Sequence, residues 1–358
     1  MRAVSVMFKP SSSLCNMRCE YCFYHSLSAL RELPFRGMMS ERTLSAALGK
    51  IFDYADGGPV SLSFQGGEPL LSGKDFFRTA ARLIAELNVK RSPVSVGVQT
   101  NGTLIDDEWC DIFSENKWLV GLSLDGDEKA NAYRVDRDGA PTFDKAYGAA
   151  KLLQERGVDF NILCVLTRPV AENIERIYDF YRRNRFRFLQ FIPVLKPLKG
   201  GVEDDGMYLT GEIYGKYLRK LFDLYMRDMM RGEYTSIRQM DNFVALANFR
   251  RAEQCGMTGG CARQFVIEGD GAVYPCDFYC LDEYCLGNIN DSSLDRIAAH
   301  PVAVRFVEES RNYPDKCRRC RWFCMCMGGC KRERIDLDKC AAYDEFFAYA
   351  VPHMRRMS

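Results

Sequence analysis

Cys15-Asn16-Met17-Arg18-Cys19-Glu20-Tyr21-Cys22-Phe23-Tyr24 is the stretch on which the reading of this 358-residue chain turns. Its cysteines are spaced C-x3-C-x2-C and follow a β-rich run at 4–8, so they fall in the loop after a first strand. From there a regular alternation sets in. Further strand patterns lie at 60–64, 94–99, 119–124, 160–166 and 188–194. Helical spacing fills the gaps, from Ser40 as N-cap to about 55, and then near 75–87, 106–114, 143–155 and 171–183. Six β-α repeats with mostly continuous apolar strands predict a parallel sheet covered by helices. Active sites of such folds gather at the carboxyl ends of the strands, where the triplet lies.

Three thiolates bind only three corners of a four-iron cluster, whereas an electron-transfer cluster of this kind uses four cysteines. The open corner suits the amino and carboxylate groups of S-adenosylmethionine (SAM), whose one-electron cleavage releases a 5′-deoxyadenosyl radical. The competing readings are a zinc site, with His25 as the local fourth ligand, or three unrelated core cysteines. Further motifs recur at successive strand ends: Gln65-Gly66-Gly67-Glu68-Pro69, Gln99-Thr100-Asn101-Gly102 and Ser123-Leu124-Asp125-Gly126. Each alone reads as a turn. Together they line one rim, and the glycines at 66 and 67 would let backbone approach the methionyl part of SAM.

Composition excludes several classes. Forty-nine basic residues against 48 acidic ones give no footprint for nucleic acid or a membrane surface. No apolar run approaches the ~18 residues of a membrane span, and the first residues lack a signal-peptide pattern. The expectation is a soluble, cytoplasmic protein. Sixteen cysteines in such a chain point to metal rather than disulfides.

Beyond Lys196 the alternation ends. A loop at 197–206 leads to a helix near 211–231, and 11 of the 16 cysteines fall between Cys255 and Cys340. A hairpin is expected around Glu268-Gly269-Asp270-Gly271, and a last helix from about 341. The expected division is 1–234 as a barrel-like domain and 235–358 as a cysteine-rich domain with that helix. Cys255, Cys261, Cys276, Cys317, Cys320, Cys326, Cys330 and Cys340 are eight thiols, enough for two fully ligated four-iron clusters; two four-cysteine zinc sites are the alternative. A redox enzyme removing two electrons needs somewhere to send the second, which favours iron. Cys110 and Cys164 read as core residues. Cys324, two residues from Cys326, competes with it as a ligand.

At these residues, most specifically 15–28, 64–69, 99–105 and 274–279, the chain resembles the anaerobic sulfatase-maturating enzymes, radical SAM proteins with a SPASM-type cysteine-rich extension. The resemblance implies an α/β fold: a partial (β/α)6 TIM-like radical SAM barrel and a C-terminal SPASM-type domain holding two Fe-S clusters. It implies three 4Fe-4S clusters and SAM as cofactors. One auxiliary cluster would take Cys255, Cys261, Cys276 and Cys330, the other Cys317, Cys320, Cys326 and Cys340. SAM contacts are implied at Tyr21, Gly67, Ser123, Arg134 and Leu195. Cys280, Cys285 and Cys324 depart from the family pattern.

The implied reaction oxidises a sulfatase cysteine or serine to Cα-formylglycine without oxygen. Hydrogen abstraction from Cβ, proton removal by a base and passage of the second electron to an auxiliary cluster yield a thioaldehyde that hydrolyses, or the aldehyde directly from serine. Asp277 is the expected base, its alternative being a carboxylate that satisfies cluster-loop amides. Gln65 and Tyr24 are expected to line the substrate pocket, though Tyr24 also suits a core. His25 reads as a structural, hydrogen-bonded residue, and Arg318, Arg319 and Arg321 as a solvated charge run. The expected partners are an unfolded or nascent sulfatase polypeptide and a flavodoxin- or ferredoxin-like electron donor, with no nucleic acid and no membrane. The rivals are a radical SAM peptide maturase making thioether or carbon–carbon crosslinks, and an iron–sulfur electron carrier. With the triplet starting at Cys15, no room is expected upstream for a leader-peptide-binding domain.

Overall fold

Apolar residues alternate or run on in nine segments that form strands in the computed structural model, which describes residues 1–199 and 206–357. They are β1 (Val4–Phe8), β2 (Val60–Phe64), β3 (Val94–Thr100), β4 (Leu119–Ser123), β5 (Phe160–Leu166), β6 (Phe188–Pro193), β7 (Ser236–Ile237), β8 (Phe265–Ile267) and β9 (Val273–Tyr274). Residues 200–205 of the expected loop lie outside the described residues. The chain forms two compact units, interleaved in sequence.

Unit 1 comprises Met1–Ser123, Arg134–Phe160 and Arg263–Phe306. Its strands run in the order β4-β3-β2-β1-β8-β9, parallel except for β9, which turns back on β8. Register places Phe8 opposite both Phe64 and Ile267, and Thr100 opposite Leu122. Parallel strands held in this register end together, so Lys9, Gln65, Asn101 and Glu268 leave the sheet at one rim. The helices start where the sequence supplies caps. The Ser40 hydroxyl accepts from the Thr43 amide at 3.1 Å ahead of Glu41–Ala55, and the Asp106 carboxylate from the Trp109 amide at 3.0 Å ahead of Asp107–Glu115. Against the sheet they bury an aromatic cluster. Phe64 meets Phe8, Phe77 and Trp118 at centroid distances of 5.5, 5.2 and 5.8 Å, and Phe77 meets Trp109 edge-on at 5.1 Å.

Unit 2 comprises Leu124–Tyr133, Asn161–Ala262 and Val307–Ser358. Its strands β5, β6 and β7 are parallel. The helix expected at 171–183 is two helices, Arg168–Glu172 and Ile174–Arg183. Thr167 caps the first, whose opening turn takes Pro169 without losing a hydrogen bond. Asn173 leaves helical geometry between them, its amide donating to the Pro169 carbonyl. The helices Gly211–Met230, Arg238–Ala247 and Cys340–Met354 pack through Phe222, Phe243, Phe346 and Phe347, with Phe243 and Phe347 centroids 5.0 Å apart. No helix among the described residues is long and apolar enough to cross a membrane.

Phe77 is fully buried where these aromatic contacts converge. Phe77→Ala is expected to cost about 3–5 kcal/mol in urea unfolding followed by circular dichroism. A loss under about 1 kcal/mol would mean this cluster does not hold the helices to the sheet.

Candidate active site

The cysteine loop is built from backbone contacts before any cysteine chemistry is needed. The Gly67 amide donates to the Ser12 carbonyl at 2.9 Å, and the Glu68 amide to the Leu14 carbonyl at 2.8 Å. A β-carbon on Gly67 would lie 2.0 Å from the Leu14 carbonyl oxygen, so only glycine fits there. The immediate purpose of the glycine is therefore contact with the cysteine loop, which motif spacing alone does not reveal. Glu68 fastens the next strand end. Its carboxylate accepts from the Thr100 hydroxyl at 2.7 Å and from the Asn101 and Leu70 amides at 2.8 and 3.0 Å. Burial nonetheless raises its pKa to about 7, against those three donors. Asn101 then reaches Asn16 at 2.9 Å, and Asn16 reaches Thr103 at 2.8 Å. From the far side the Arg18 amide donates to the Val135 carbonyl, and Arg137 Nε to the Cys15 carbonyl, both at 2.9 Å.

Cys15, Cys19 and Cys22 are half-buried on this loop. Burial pushes the Cys15 thiol up to about 12, against the Met17 amide at 3.3 Å; Glu68, Cys19 and Cys22 lie close enough to push it further up. The Cys15 thiol therefore stays protonated until a metal takes up the charge. Cys22 starts the short helix Phe23–Ser28, which carries Tyr24 back toward the sheet and leaves His25 exposed. His25, expected as a structural, hydrogen-bonded residue, thus lies at the surface.

Unit 2 groups its own cysteines. Burial first, then proximity of Cys317, Cys320 and Cys340, raises the pKa of Cys326. Cys324 is exposed on the same short helix, Phe323–Cys326. Cys255 lies close enough to Cys261 and Cys330 for the charges to interact. Cys276 lies in unit 1, just after β9. Of the remaining thiols, Cys110, Cys164 and Cys280 are buried and Cys285 is half-buried. These groupings are thiol-only, the donor chemistry of iron–sulfur clusters. Among the described residues, no three or more Cys, His, Asp or Glu converge on a point that would hold one metal ion.

Around the rim of unit 1, Arg134 is buried with its guanidinium 5.5 Å from the Tyr21 ring centroid, and Gln99 donates to the Ser123 hydroxyl at 3.1 Å. Leu195 is buried in unit 2. Asp277, Tyr24 and Gln65 come together. Asp277 Oδ2 accepts from the Tyr24 hydroxyl and from Gln65 Nε2 at 3.3 Å, and Gln65 Nε2 also donates to the Tyr24 oxygen at 2.6 Å. Asp277 is 6% exposed, and Oδ1 makes no hydrogen bond. Burial raises its pKa, opposed by the Lys9 charge and by the Tyr24 hydrogen bond. Burial together with Asp277 raises the Tyr24 pKa, so the phenol remains a donor.

Sequence reasoning missed three charges behind this carboxylate. Lys9 Nζ lies 3.2 Å from Glu268 Oε1 and 3.6 Å from Asp277 Oδ1, and Arg31 lies 2.7 Å from the same Glu268 oxygen. The Lys9 charge stands 4.5 Å from the Tyr24 ring centroid. All three side chains are 1% exposed or less. The available signal was positional: Lys9 and Glu268 each follow the last apolar residue of a strand.

Residues 10–181 match the Radical SAM superfamily, and residues 255–321 match the SPASM iron-sulfur cluster-binding domain. The chain is 42% identical over 366 residues to a cysteine-type anaerobic sulfatase-maturating enzyme of Clostridium perfringens (strain 13 / Type A), covering 99% of this chain and 98% of that protein. Among solved structures it is similar to native anSMEcpe with bound AdoMet, with a TM-score of 0.93, 39% identity and 99% of each chain covered. It is also similar to native anSMEcpe with bound AdoMet and Cp18Cys peptide, with a TM-score of 0.93, 38% identity and the same coverage. The chain shares the fold of these proteins.

Because a side chain at 67 displaces the loop that presents the first three thiols, Gly67→Ala is expected to lose about four of the irons bound per chain, with SAM cleavage lost alongside. Iron assay checks this. Full iron content would show that the loop tolerates the displacement.

Proposed function

This chain belongs to the anaerobic sulfatase-maturating enzymes, and from that premise we propose that it oxidises an active-site cysteine or serine of a sulfatase polypeptide to Cα-formylglycine. Cysteine is the substrate type named for the 42% identical relative. The observation that carries the reading is the buried Asp277 carboxylate, fixed through one oxygen by Tyr24 and Gln65 and without a hydrogen bond at the other, on a unit that also holds the three-thiol loop.

In this reading the barrel spans 1–234 and the SPASM-type domain 235–358. Cys15, Cys19 and Cys22 would hold the first 4Fe-4S cluster. Tyr21, Gly67, Ser123 and Arg134 of unit 1 would contact SAM, the ligand named for the solved relatives. Cys255, Cys261 and Cys330 of unit 2 would contribute to one auxiliary cluster, and Cys317, Cys320, Cys326 and Cys340 would hold the other. When bound, these groups supply a 5′-deoxyadenosyl radical that removes a hydrogen atom from the target Cβ, and a sink for the second electron.

The rest falls to the protein's own side chains. Gln65 and Tyr24 line the pocket for the target residue and hold the Asp277 carboxylate through Oδ2, and Asp277 takes the thiol or hydroxyl proton. Burial suits the carboxylate to that task, because it raises its proton affinity. Tyr24, kept protonated, stabilises the anionic form until the proton arrives. The proposed partners are an unfolded or nascent sulfatase chain and a flavodoxin- or ferredoxin-like electron donor.

Two variants test the assignment. Changing Cys15, Cys19 and Cys22 together to Ala is expected to abolish SAM cleavage and leave about eight irons per chain, four for each remaining cluster. Cleavage that survives would remove the triplet from the active site. Asp277→Asn is expected to form 5′-deoxyadenosine normally while aldehyde falls by about 10²–10⁴-fold, the scale of a lost general base. Undiminished aldehyde would return Asp277 to a purely structural role.

A further inference from the structure

Two helix ends of unit 2 meet at a surface that no folding requirement explains. The helix Arg238–Ala247 closes with Asn248 as C-cap, and the next two amides turn back on it. Phe249 donates to the Leu246 carbonyl at 3.1 Å and Arg250 to the Ala245 carbonyl at 2.8 Å. That pair of bonds puts Phe249 where a helix ordinarily takes glycine, because the backbone there turns left-handed. Its φ is +59°, a region that bulky residues rarely enter. Phe249 is also 91% exposed. It therefore accepts an unfavourable backbone without gaining burial.

Cations accompany the ring. Asn248 Nδ2 donates to the Met354 carbonyl at 3.0 Å, which joins this end to that of the helix Cys340–Met354. Arg355 follows there, its guanidinium 5.8 Å from the Phe249 ring centroid. Arg250, Arg251, Arg355 and Arg356 are exposed, and none forms an ion pair among the described residues. Lys316, Arg318 and Arg321, by contrast, each pair with an aspartate, at 3.1, 3.7 and 2.8 Å. Arginines at a helix C-terminus gain from its dipole. That accounts for the charges and not for the bare ring.

The segment then doubles back along its own helix. The Glu253 and Gln254 amides both donate to Asn242 Oδ1, at 2.6 and 3.0 Å. The stretch from Asn242 to Phe249 spans about 10 Å of helical rise. The exposed Cys255 is thus returned to the helix flank at roughly that distance from the ring.

We propose that Phe249, Arg250, Arg251, Arg355 and Arg356 form the docking surface of an acidic electron-carrier protein, which takes the second electron of the oxidation from the auxiliary cluster that Cys255 serves. One electron crosses, oxidising the cluster and reducing the carrier, and no bond is made or broken. Charge complementarity sets the sign of the partner, and an aromatic among arginines is the composition of an interface anchor. The nearness of Cys255 selects an electron carrier over other acidic proteins. This rests on the reading of Cys255 as a cluster ligand.

Binding of labelled, oxidised flavodoxin to the iron-loaded protein, followed by fluorescence anisotropy without oxygen, tests the surface. Changing the four arginines together to Gln is expected to raise Kd at least about tenfold at low salt, where interface charges act most strongly. Phe249→Gly suits the left-handed backbone and so keeps the fold; it is expected to raise Kd at least about fivefold, as loss of an aromatic anchor does. A purely structural role predicts instead that Phe249→Gly raises Tm and leaves Kd alone. A Kd within about twofold of the parent in either variant would overturn the proposal. So would equal displacement of flavodoxin by an oligoglutamate peptide or an RNA oligonucleotide, which would mark a general anion surface. Cys255→Ala tests the level beneath, since about four irons per chain are lost if Cys255 is a ligand. Full iron content there fails the cluster reading; lost iron with Kd unchanged in the arginine variant fails the docking surface alone.

Discussion

The approach of Gly67 to the Leu14 carbonyl is the contact on which the site depends. At this separation the second strand's loop and the cysteine loop share one layer of backbone, with amides of 67 and 68 donating across it. The cysteines are thereby presented by a backbone that has few other conformations. Glu68 extends the same lattice to the third strand through Thr100 and Asn101, and Asn101 returns to Asn16. An iron–sulfur ligand loop needs such support, because the thiols themselves repel when ionised and gain from one another only once metal is bound.

A second constraint is the parallel pairing of β8 with β1. It carries a segment from residue 265 onward to the strand that precedes the cysteines, and with it Glu268 and Asp277 to Lys9 and Tyr24. The result is a carboxylate whose two oxygens are chemically distinct. One is saturated by phenol and amide donors, and the other faces a cation without a hydrogen bond. Burial raises the proton affinity of this group while Lys9 opposes it.

Much of this was legible in the residues. The first six strands have the boundaries expected to within one residue, and the helix after Ser40 begins where that cap predicts, because periodicity and capping are local properties. The cysteine triplet was legible because three thiols at that spacing have few other uses. What escaped was long-range. Nothing near Lys9 announces that residue 268 will neutralise it, and nothing in Gln65–Pro69 says that Gly67 answers to Leu14. The split at Asn173 and the exposure of His25 escaped for the opposite reason, since each depends on one residue's own geometry overriding a smooth pattern.

The most direct test of the account is mass spectrometry of a short sulfatase-type peptide carrying Cys-x-Pro-x-Arg, and of its serine counterpart. Each is incubated without oxygen with iron-loaded enzyme, SAM and a reductant while 5′-deoxyadenosine is counted. The account predicts a loss of about 18 Da from the cysteine peptide, or about 2 Da from the serine peptide, as the two-electron oxidation requires. SAM cleavage with both peptides unchanged would contradict it.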